Sequence, residues 1–358
     1  MTDAVVNLRT KMSENGIDAV ILTGGANRRY FSGFTGSSGT ALITHDECIF
    51  MTDSRYTIQS RQQCLGFEVK ELYGRAMLDF MNDYCVRNSI KHIWIDEESL
   101  TYAQYESFFR AFGVAVDFKD GAKYFSQIRM IKSAEEAEIM KTAAKMAGNA
   151  FMATVREMEV GMSELQVAEL FEKHVLDLDA KTSFIIVASG ENAALPHHEG
   201  NERKIGYGDI VTVDFGIIYK GYNSDCTRTF AVGDIPDELK HIYNIVKKAQ
   251  HDAACQVGPG KCCGDLDKIA RDIISEAGYG EYFGHSLGHS LGLDIHELPS
   301  LSKNNSAVLQ PGMFVTVEPG IYVEGLGGVR IEDTLMVTEN GFVNITEDVP
   351  KSLCIREF

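Results

Sequence analysis

The feature that most restricts the fold of this chain is a nine-residue pattern that occurs twice. Residues 208–216 read GDIVTVDFG and residues 312–320 read GMFVTVEPG, so both fit GxxVTVxxG. Within each copy, apolar residues alternate with polar ones, which is typical of a strand with one buried face. Each copy carries an acid at the same place, Asp214 in the first and Glu318 in the second. The pattern therefore predicts an internal duplication with two acid-bearing strands.

A turn signal and a second β-rich run follow each of these strands, which predicts two hairpins. In the first hairpin, a Lys-Gly turn lies near the midpoint of Asp214 and Asp225, so the two acids are expected opposite or diagonal to each other. In the second hairpin, Glu318 and Glu332 are symmetric about Gly325. Carboxylates that converge on one sheet face repel each other. Unless one stays protonated, a bound cation is the usual way to hold them.

Histidines add a second kind of ligand to the same part of the chain. His197 and His198 follow a strand that ends in a Gly/Asn/Pro loop, and GHSLGHSLGLDIHELP places His285, His289 and His296 within twelve residues. A single histidine is more often a packed or surface residue than a ligand. Five histidines in the same half of the chain as the acids indicate that at least one binds metal, because neutral imidazole ligates most first-row divalent ions.

The chain has 358 residues, a length typical of two domains or one large one. Residues 1–128 alternate strands with helices, which predicts an α/β domain whose sheet is mainly covered. A capping box at Ser133 and Glu136 marks the start of a long helix. Residues 129–358 are predicted to form an α+β domain of two halves, each with a helix pair followed by a hairpin.

Charge and segment composition argue against several classes of partner. The chain has 34 Lys and Arg against 51 Asp and Glu, a net charge of −17, and no basic cluster, so neither nucleic acid nor a membrane is expected to bind. The N-terminal segment lacks the basic and apolar regions of a signal peptide, and no apolar run is long enough to span a bilayer. A cytoplasmic location is therefore expected. The eight cysteines show no CxxC spacing, which favours reduced core residues.

These motifs resemble those of the pita-bread metallopeptidases, the family of methionine aminopeptidase, aminopeptidase P and prolidase. The resemblance rests on the gap of eleven residues between the two aspartates and on HSLGHSLGLDIHE, VTVEPG and GVRIED. It covers roughly residues 129–358. Before it, YFSGFTGSSGTALI and TDSRY are similar to the N-terminal domain of the aminopeptidase P and prolidase branch. The resemblance implies a creatinase-like α/β N-terminal domain, a pita-bread catalytic domain with an internal pseudo-duplication, and a homodimer.

The resemblance also implies two divalent metal ions per subunit. Asp214 would chelate one ion, His289 and Glu318 the other, and Asp225 and Glu332 would bridge them. Four carboxylates and one imidazole form an oxygen-rich set that suits Mn²⁺ or Co²⁺, with Zn²⁺ as the third candidate. The two ions would supply a bridging hydroxide near neutral pH and polarise the scissile carbonyl. Glu318 would shuttle protons as well as bind metal.

Further residues match the family pattern outside the ligand set. His197 and His296 would be catalytic, since they match histidines that contact the substrate and stabilise the tetrahedral intermediate. His285 and Arg330 would orient the ligands or bind substrate. His198 has no counterpart with a role in this pattern.

By resemblance, the substrates are short peptides with proline at the second position, and the chain is most similar to bacterial Xaa-Pro aminopeptidases. Many prolidases read HExPR where this chain reads HELPS, so Ser300 replaces an arginine that is taken to hold the dipeptide carboxylate. The missing cation favours a substrate that continues past proline. An Xaa-Pro dipeptidase is the alternative, with Arg330 or an N-terminal-domain residue as the substitute cation. The long N-terminal domain disfavours a methionine aminopeptidase, and the five filled ligand positions disfavour a metal-free creatine hydrolase or binding module.

Overall fold

The computed structural model describes residues 3–357, and the chain divides into two compact units between Arg129 and Met130. The N-terminal unit is built on a six-stranded mixed sheet in the order β4-β3-β2-β1-β5-β6. Its strands are β1 (Ala19–Leu22), β2 (Thr40–Thr44), β3 (Cys48–Thr52), β4 (Glu68–Glu71), β5 (His92–Ile95) and β6 (Asp117–Asp120). Its helices are α1 (Asp3–Asn15), α2 (Gly25–Ser32), α3 (Thr57–Gln63), α4 (Gly74–Arg87), α5 (Tyr102–Phe112) and α6 (Ala122–Met130).

Both faces of this sheet are covered, as the alternation of strands and helices predicts. Val20 and Leu22 of β1 pack in one apolar cluster with residues of α1, α2 and α6. Ala19 and Ile21, which point the opposite way, pack in a second cluster with residues of α4 and α5. The N-terminal unit is therefore a layered α/β domain.

The second unit combines helix pairs with short antiparallel sheets. Its helices are α7 (Ala134–Glu157), α8 (Glu164–Leu176), α9 (Asp237–Ala254) and α10 (Cys263–Glu276). Its strands are β7 (Lys181–Ser189), β8 (Ile210–Tyr219), β9 (Tyr222–Asn223), β10 (Cys226–Ala231), β11 (Gly288–Ser290), β12 (Glu297–Leu301), β13 (Phe314–Val317), β14 (Gly320–Val323), β15 (Gly327–Arg330), β16 (Asp333–Thr338) and β17 (Gly341–Asn344). No helix in residues 3–357 is both long and apolar enough to cross a membrane.

The two halves of this unit repeat one plan. In the first half, α7 and α8 pack on the β10-β8-β7 sheet, where Phe151 stacks on Phe215 with ring centroids 4.7 Å apart. In the second half, residues of α9 and α10 form a core with those of β13 and β16. Ser133 caps α7 with the predicted capping box, which Glu136 completes.

Matching backbone details support the duplication. The glycines that open the two repeats, Gly208 and Gly312, have positive φ angles of 93° and 87°. This left-handed conformation favours glycine, so the same residue is required at the same place. The residue before each second helix also forms an isolated antiparallel bridge, Ser163 with Lys204 and Cys262 with Val308. The predicted α+β architecture with an internal pseudo-duplication is thus confirmed.

Candidate metal centre

The first hairpin brings two aspartates together through its register. Strands β8 and β10 are antiparallel, with Thr227 opposite Asp214. Asp225 precedes Thr227 by two residues and therefore lies diagonal to Asp214 on the same face. Lys220 and Gly221 form the turn with φ angles of 48° and 88°, the positive values that a two-residue hairpin loop requires. Of the two predicted arrangements, opposite or diagonal, the structure has the diagonal one.

The second hairpin places its two acids directly opposite each other. In the β13–β16 pair, Val317 lies opposite Asp333, and the same register continues across β14 and β15. Glu318 and Glu332 therefore face each other between these strand pairs, and the turn includes Gly325. The symmetry in the sequence corresponds to the symmetry of the hairpin.

The two hairpins join their carboxylates into one cluster. Asp214, Asp225 and Glu332 each offer an oxygen, and these oxygens lie within 4.8 Å of one another. His289 Nε2 lies 3.3 Å from Glu318 Oε1 and 3.5 Å from Asp225 Oδ2. The structure thus brings the five predicted ligand residues together, with Asp225 common to both groups.

The strand pair β11–β12 orients His289. Its register shifts between His289 and Ser290, an irregularity of the kind that re-aims side chains next to active sites. The ring Nδ1 lies 3.1 Å from the carbonyl oxygen of Ser290, which can only accept, so Nδ1 carries the proton. Burial lowers the pKa of His289, which keeps the ring neutral. The lone pair on Nε2 therefore faces the carboxylates, as a metal ligand requires.

Arg330 contacts the acids directly. Its guanidinium is buried and donates to Asp214 Oδ2 at 2.7 Å. It also donates through Nε to Thr227 Oγ1 at 3.1 Å, and that hydroxyl donates to Glu332 Oε2 at 2.7 Å. Arg330 thus orients one acid from each hairpin. Thr227 was not predicted from the sequence, where its only signal is its place two residues after Asp225 on the same strand face.

A second chain of hydrogen bonds links Arg330 to His285. Arg330 Nη1 donates to Tyr322 Oη at 2.8 Å, and Tyr322 Oη lies 2.9 Å from His285 Nε2. His285 Nδ1 lies 2.8 Å from the carbonyl oxygen of Ser286, and burial lowers the pKa of His285 to about 4. The ring is therefore neutral with its proton on Nδ1, and Tyr322 donates to Nε2. Tyr322 is a further residue that the sequence analysis missed.

The two predicted catalytic histidines lie at the exposed side of this cluster. The ring of His296 packs against that of His289, with ring centroids 4.4 Å apart, and His296 is exposed. His197 is also exposed, and its charge is among the influences that lower the pKa values of His285 and His296. Both histidines are therefore open to a ligand that arrives from solvent.

The acids themselves are poorly satisfied without a cation. Burial, followed by the charges of neighbouring acids, raises the pKa values of Asp225 and Glu332 well above their usual range. Asp214 Oδ1 and Glu332 Oε1 are buried and have no hydrogen-bond partner among the described residues. These clustered carboxylate oxygens, two of them without a hydrogen-bond partner, together with the neutral imidazole beside Asp225 and Glu318, form a donor set that fits divalent cations.

We expect metal binding near pH 6 to release protons. Burial raises the pKa of Glu318 from 4.5 to about 7. Between these values the folded, metal-free protein keeps a proton that the unfolded chain has lost, so its stability falls as pH rises through this range. Metal ligation needs the ionised form. Titration calorimetry with Mn²⁺ at pH 6, in buffers of different ionisation enthalpy, should give heats that depend on the buffer. Heats that do not depend on the buffer would contradict this account.

A buried ion pair next to the cluster also escaped sequence analysis. Asp333 follows Glu332 and accepts from Arg228 Nη2 at 2.9 Å and from Gln250 Nε2 at 3.0 Å. Arg228 is 1% exposed and donates to the carbonyl oxygens of Glu332 and Val349. Because Arg228 lies on β10 and Asp333 on β16, the pair joins the two hairpins behind the carboxylates.

Comparison with known proteins identifies the family. The model of metallopeptidase family M24 matches residues 138–339, and that of the creatinase/prolidase N-terminal domain matches residues 5–131. Family M24 consists of enzymes with two divalent metal ions. An uncharacterized peptidase of Bacillus subtilis, YqhT, is 44% identical over 97% of this chain and 98% of its own length.

Two solved structures are similar over nearly the whole chain. An Xaa-Pro dipeptidase from Bacillus anthracis is 42% identical, with a TM-score of 0.93 and 98% of each chain covered. An X-Pro aminopeptidase from Thermotoga maritima is 38% identical, with a TM-score of 0.87, and the match covers 95% of this chain and 98% of that one. With both domain models matched and relatives this similar, the chain belongs to metallopeptidase family M24, in its pita-bread group of Xaa-Pro peptidases.

Proposed function

We propose that this protein is a metal-dependent Xaa-Pro aminopeptidase, which releases the N-terminal residue from short peptides with proline at the second position. The observation that carries the proposal is the convergence of four carboxylates and the lone pair of His289, with His197 and His296 on the exposed side. The names of the similar structures from Bacillus anthracis and Thermotoga maritima support a substrate with an Xaa-Pro bond.

The residues divide the chemistry between binding and proton transfer. Asp214, Asp225, His289, Glu318 and Glu332 would hold two divalent cations, for which we propose Mn²⁺ or Co²⁺ before Zn²⁺. When bound, these ions would activate a water molecule and polarise the scissile carbonyl. Glu318 accepts a hydrogen bond from Thr316 Oγ1 at 3.0 Å, which orients its carboxylate for proton transfer.

The exposed histidines and Arg330 complete the proposed machinery. His197 and His296 would donate hydrogen bonds to the substrate and to the oxyanion that forms during hydrolysis. Arg330 and His285, joined through Tyr322, would keep the carboxylates in place from behind. A prolyl amide has no N–H, so the site must recognise the proline ring by shape.

The environment of Ser300 favours the aminopeptidase over the dipeptidase. Ser300 lies opposite His289 in the β11–β12 pair, close to the ligands. Its hydroxyl lies 3.1 Å from Ser302 Oγ, and Asn305 donates to its carbonyl oxygen at 2.6 Å. These neighbours are neutral, so they supply no positive charge for the free carboxylate of an Xaa-Pro dipeptide. A peptide that continues past proline needs no such charge.

An Xaa-Pro dipeptidase is the second candidate. The similar structure from Bacillus anthracis bears that name and is 42% identical to this chain. The direct test is hydrolysis of Xaa-Pro and of Xaa-Pro-Yaa of matched composition, with Mn²⁺ or Co²⁺ supplied and with EDTA controls. The aminopeptidase proposal expects a higher kcat/KM on the tripeptide. Faster cleavage of the dipeptide would establish the second candidate, and no metal-dependent cleavage of either would overturn both.

We expect Ser300→Arg to shift the preference toward Xaa-Pro dipeptides. A guanidinium there would pair with the dipeptide carboxylate, and a hydrogen bond to a charged group contributes about 1.5–3 kcal/mol, or roughly a 10- to 100-fold change in the ratio of kcat/KM values. Ser306→Arg, at an exposed position, adds the same charge away from the strand and is the matched control. An unchanged ratio in Ser300→Arg would show that this position does not set the substrate length.

A further inference from the structure

Glu164, the first residue of α8, is fully buried and accepts hydrogen bonds from the loop that carries His197. The donors are Ser189 N and Oγ at 2.8 and 2.7 Å, Asn192 Nδ2 at 3.1 Å, His198 Nε2 at 2.7 Å and Asn201 N at 3.2 Å. Four residues spread over 189–201 therefore converge on one carboxylate. Both of its oxygens take part.

The surroundings of Glu164 favour an ionised acceptor. Burial raises the pKa of Glu164, but the hydrogen bonds from Ser189, His198 and Asn192 outweigh this effect and hold the pKa below its usual range. The carboxylate also lies in the first turn of α8, where the helix dipole favours negative charge. A buried carboxylate with this many donors is a strong and specific attachment point for a loop.

The contact with His198 acts on the neighbouring residue, His197. A β-turn places Pro196 and His197 at its centre, and it is closed by a hydrogen bond of 3.2 Å from His198 N to the carbonyl oxygen of Leu195. The ring of His198 is buried against Glu164, whereas His197 is exposed at the tip of the turn. Fixing the ring of His198 therefore fixes the turn, and the turn sets the direction of His197.

The other side of the same loop packs on the second hairpin. A side chain on Gly328 of β15 would place its Cβ 2.1 Å from the carbonyl oxygen of Ala193, and one on Gly327 would lie 2.9 Å from that of Gly190. The loop backbone thus approaches β15 closely, near the strand end that carries Arg330. Glu164 holds the loop from one side while β15 supports it from the other.

The second half of the unit repeats this arrangement independently. Asp267, on α10, is buried, accepts from Leu287 N at 3.1 Å and pairs with Arg271. Arg271 in turn donates to the carbonyl oxygens of Phe283 and His285 at 2.9 and 2.8 Å. In both halves, a buried acid on the second helix holds a loop that carries a histidine of the site.

We propose that Glu164 is a positioning residue that fixes the 189–201 loop so that His197 faces the metal-binding carboxylates. The part of this inference that concerns catalysis rests on the proposed function. Glu164 itself does not touch the substrate. Its partner His198 thereby gains a function as the link between Glu164 and the turn.

The first test measures the loop directly, in the metal-loaded enzyme. Glu164→Gln keeps the size of the side chain but replaces one acceptor oxygen by an NH₂ donor. This donor would face another donor, either Asn201 N or the two donors of Ser189, so at least one hydrogen bond is lost. We expect amide hydrogen exchange within 189–201 to become about 10- to 100-fold faster, as the loss of a hydrogen bond to a charged group implies. Glu169→Gln makes the same change at an exposed position of α8 and should leave exchange unchanged.

The second test asks whether the effect reaches catalysis through His197. Glu164→Gln should lower kcat on the preferred Xaa-Pro peptide by about 10-fold with little change in KM. The reason is that a misplaced His197 loses its hydrogen bond to the transition state rather than to the bound substrate. In a His197→Ala background, Glu164→Gln should lower kcat little further, because the imidazole that Glu164 positions is already absent. His198→Gln, which alters only one of the hydrogen bonds that Glu164 accepts, should cause a smaller increase in loop exchange and a smaller loss of kcat. This variant serves as the test if Glu164→Gln does not fold.

The outcomes separate the two proposals. Unchanged exchange in the loop of a folded variant would overturn the positioning inference. So would faster exchange combined with fully additive losses in the Glu164→Gln, His197→Ala double variant. Wild-type enzyme that cleaves neither peptide would overturn the proposed function, while the exchange experiment would still decide whether Glu164 holds the loop.

Discussion

Asp225→Asn is expected to abolish the metal-dependent activity while making the metal-free protein no less stable. Asp225 belongs to both groups of candidate ligands. Mutating a residue that only hydrogen-bonds to a metal ligand typically lowers activity roughly 10- to 100-fold, so the loss of Asp225 itself should lower activity by more than that. Without metal, the buried Asp225 is surrounded by Glu332, Asp214 and Glu318, whose charges raise its pKa after burial itself. A neutral amide removes that repulsion.

Thermal unfolding with EDTA and with Mn²⁺, together with metal analysis and kcat/KM, tests this prediction. The wild type should gain stability on adding Mn²⁺, because an ion that binds only the folded state stabilises it. Asp225→Asn should lose that gain and keep or exceed the wild-type midpoint in EDTA. Asp234→Asn, at an exposed position, is the control for the same chemical change. A variant with full metal content and full activity would refute the assignment of Asp225 as a ligand.

Asp333→Asn is expected to have the largest effect on stability. Removing its charge leaves Arg228 buried without its ionic partner, which typically costs about 3–5 kcal/mol. Burial raises the pKa of Asp333, but the charges of Arg228 and of Lys351, whose ammonium group also pairs with Asp333, outweigh this effect and lower the pKa. The stabilisation is therefore present above the unfolded value of 3.8 and is lost as pH falls through the lower folded value.

Denaturant unfolding across pH checks both the size and the sign of this effect. The difference in unfolding free energy between the wild type and Asp333→Asn should be full near neutral pH and should shrink in acid below 3.8. The matched control is Asp252→Asn, which breaks an exposed pair with Lys248 and should cost no more than about 1 kcal/mol. If the two substitutions lowered the unfolding free energy equally, the buried pair would contribute no more to stability than an exposed pair does.

The sequence was most informative where local symmetry encodes contact. Asp214 and Asp225 are nearly symmetric about one turn and Glu318 and Glu332 are symmetric about another, so hairpin geometry alone predicts each pair. The capping box at Ser133 likewise predicts the start of α7. The α/β domain and the duplicated pita-bread domain follow from the same periodic patterns, together with the family resemblance.

The sequence was least informative where contacts join distant segments. Glu164 looks like an ordinary acid in the first turn of a helix, because its partners lie 25 to 37 residues away. Tyr322 and Thr227 carry no motif of their own, and only the register of two sheets places them beside Arg330. The cytoplasmic location, the homodimer and the identity of the metal stay predictions.

The duplicated architecture has a consequence for biosynthesis. Each half of the second unit supplies only two of the four carboxylates, and His289 lies in the second half. A growing polypeptide on the ribosome that has folded only its first half therefore holds Asp214 and Asp225 but cannot yet assemble the full set of proposed ligands. Under the proposed function, hydrolytic capacity would arise only after the hairpin that carries Glu318 and Glu332 has been synthesised and has docked, so unfinished chains would be inert toward the peptides around them.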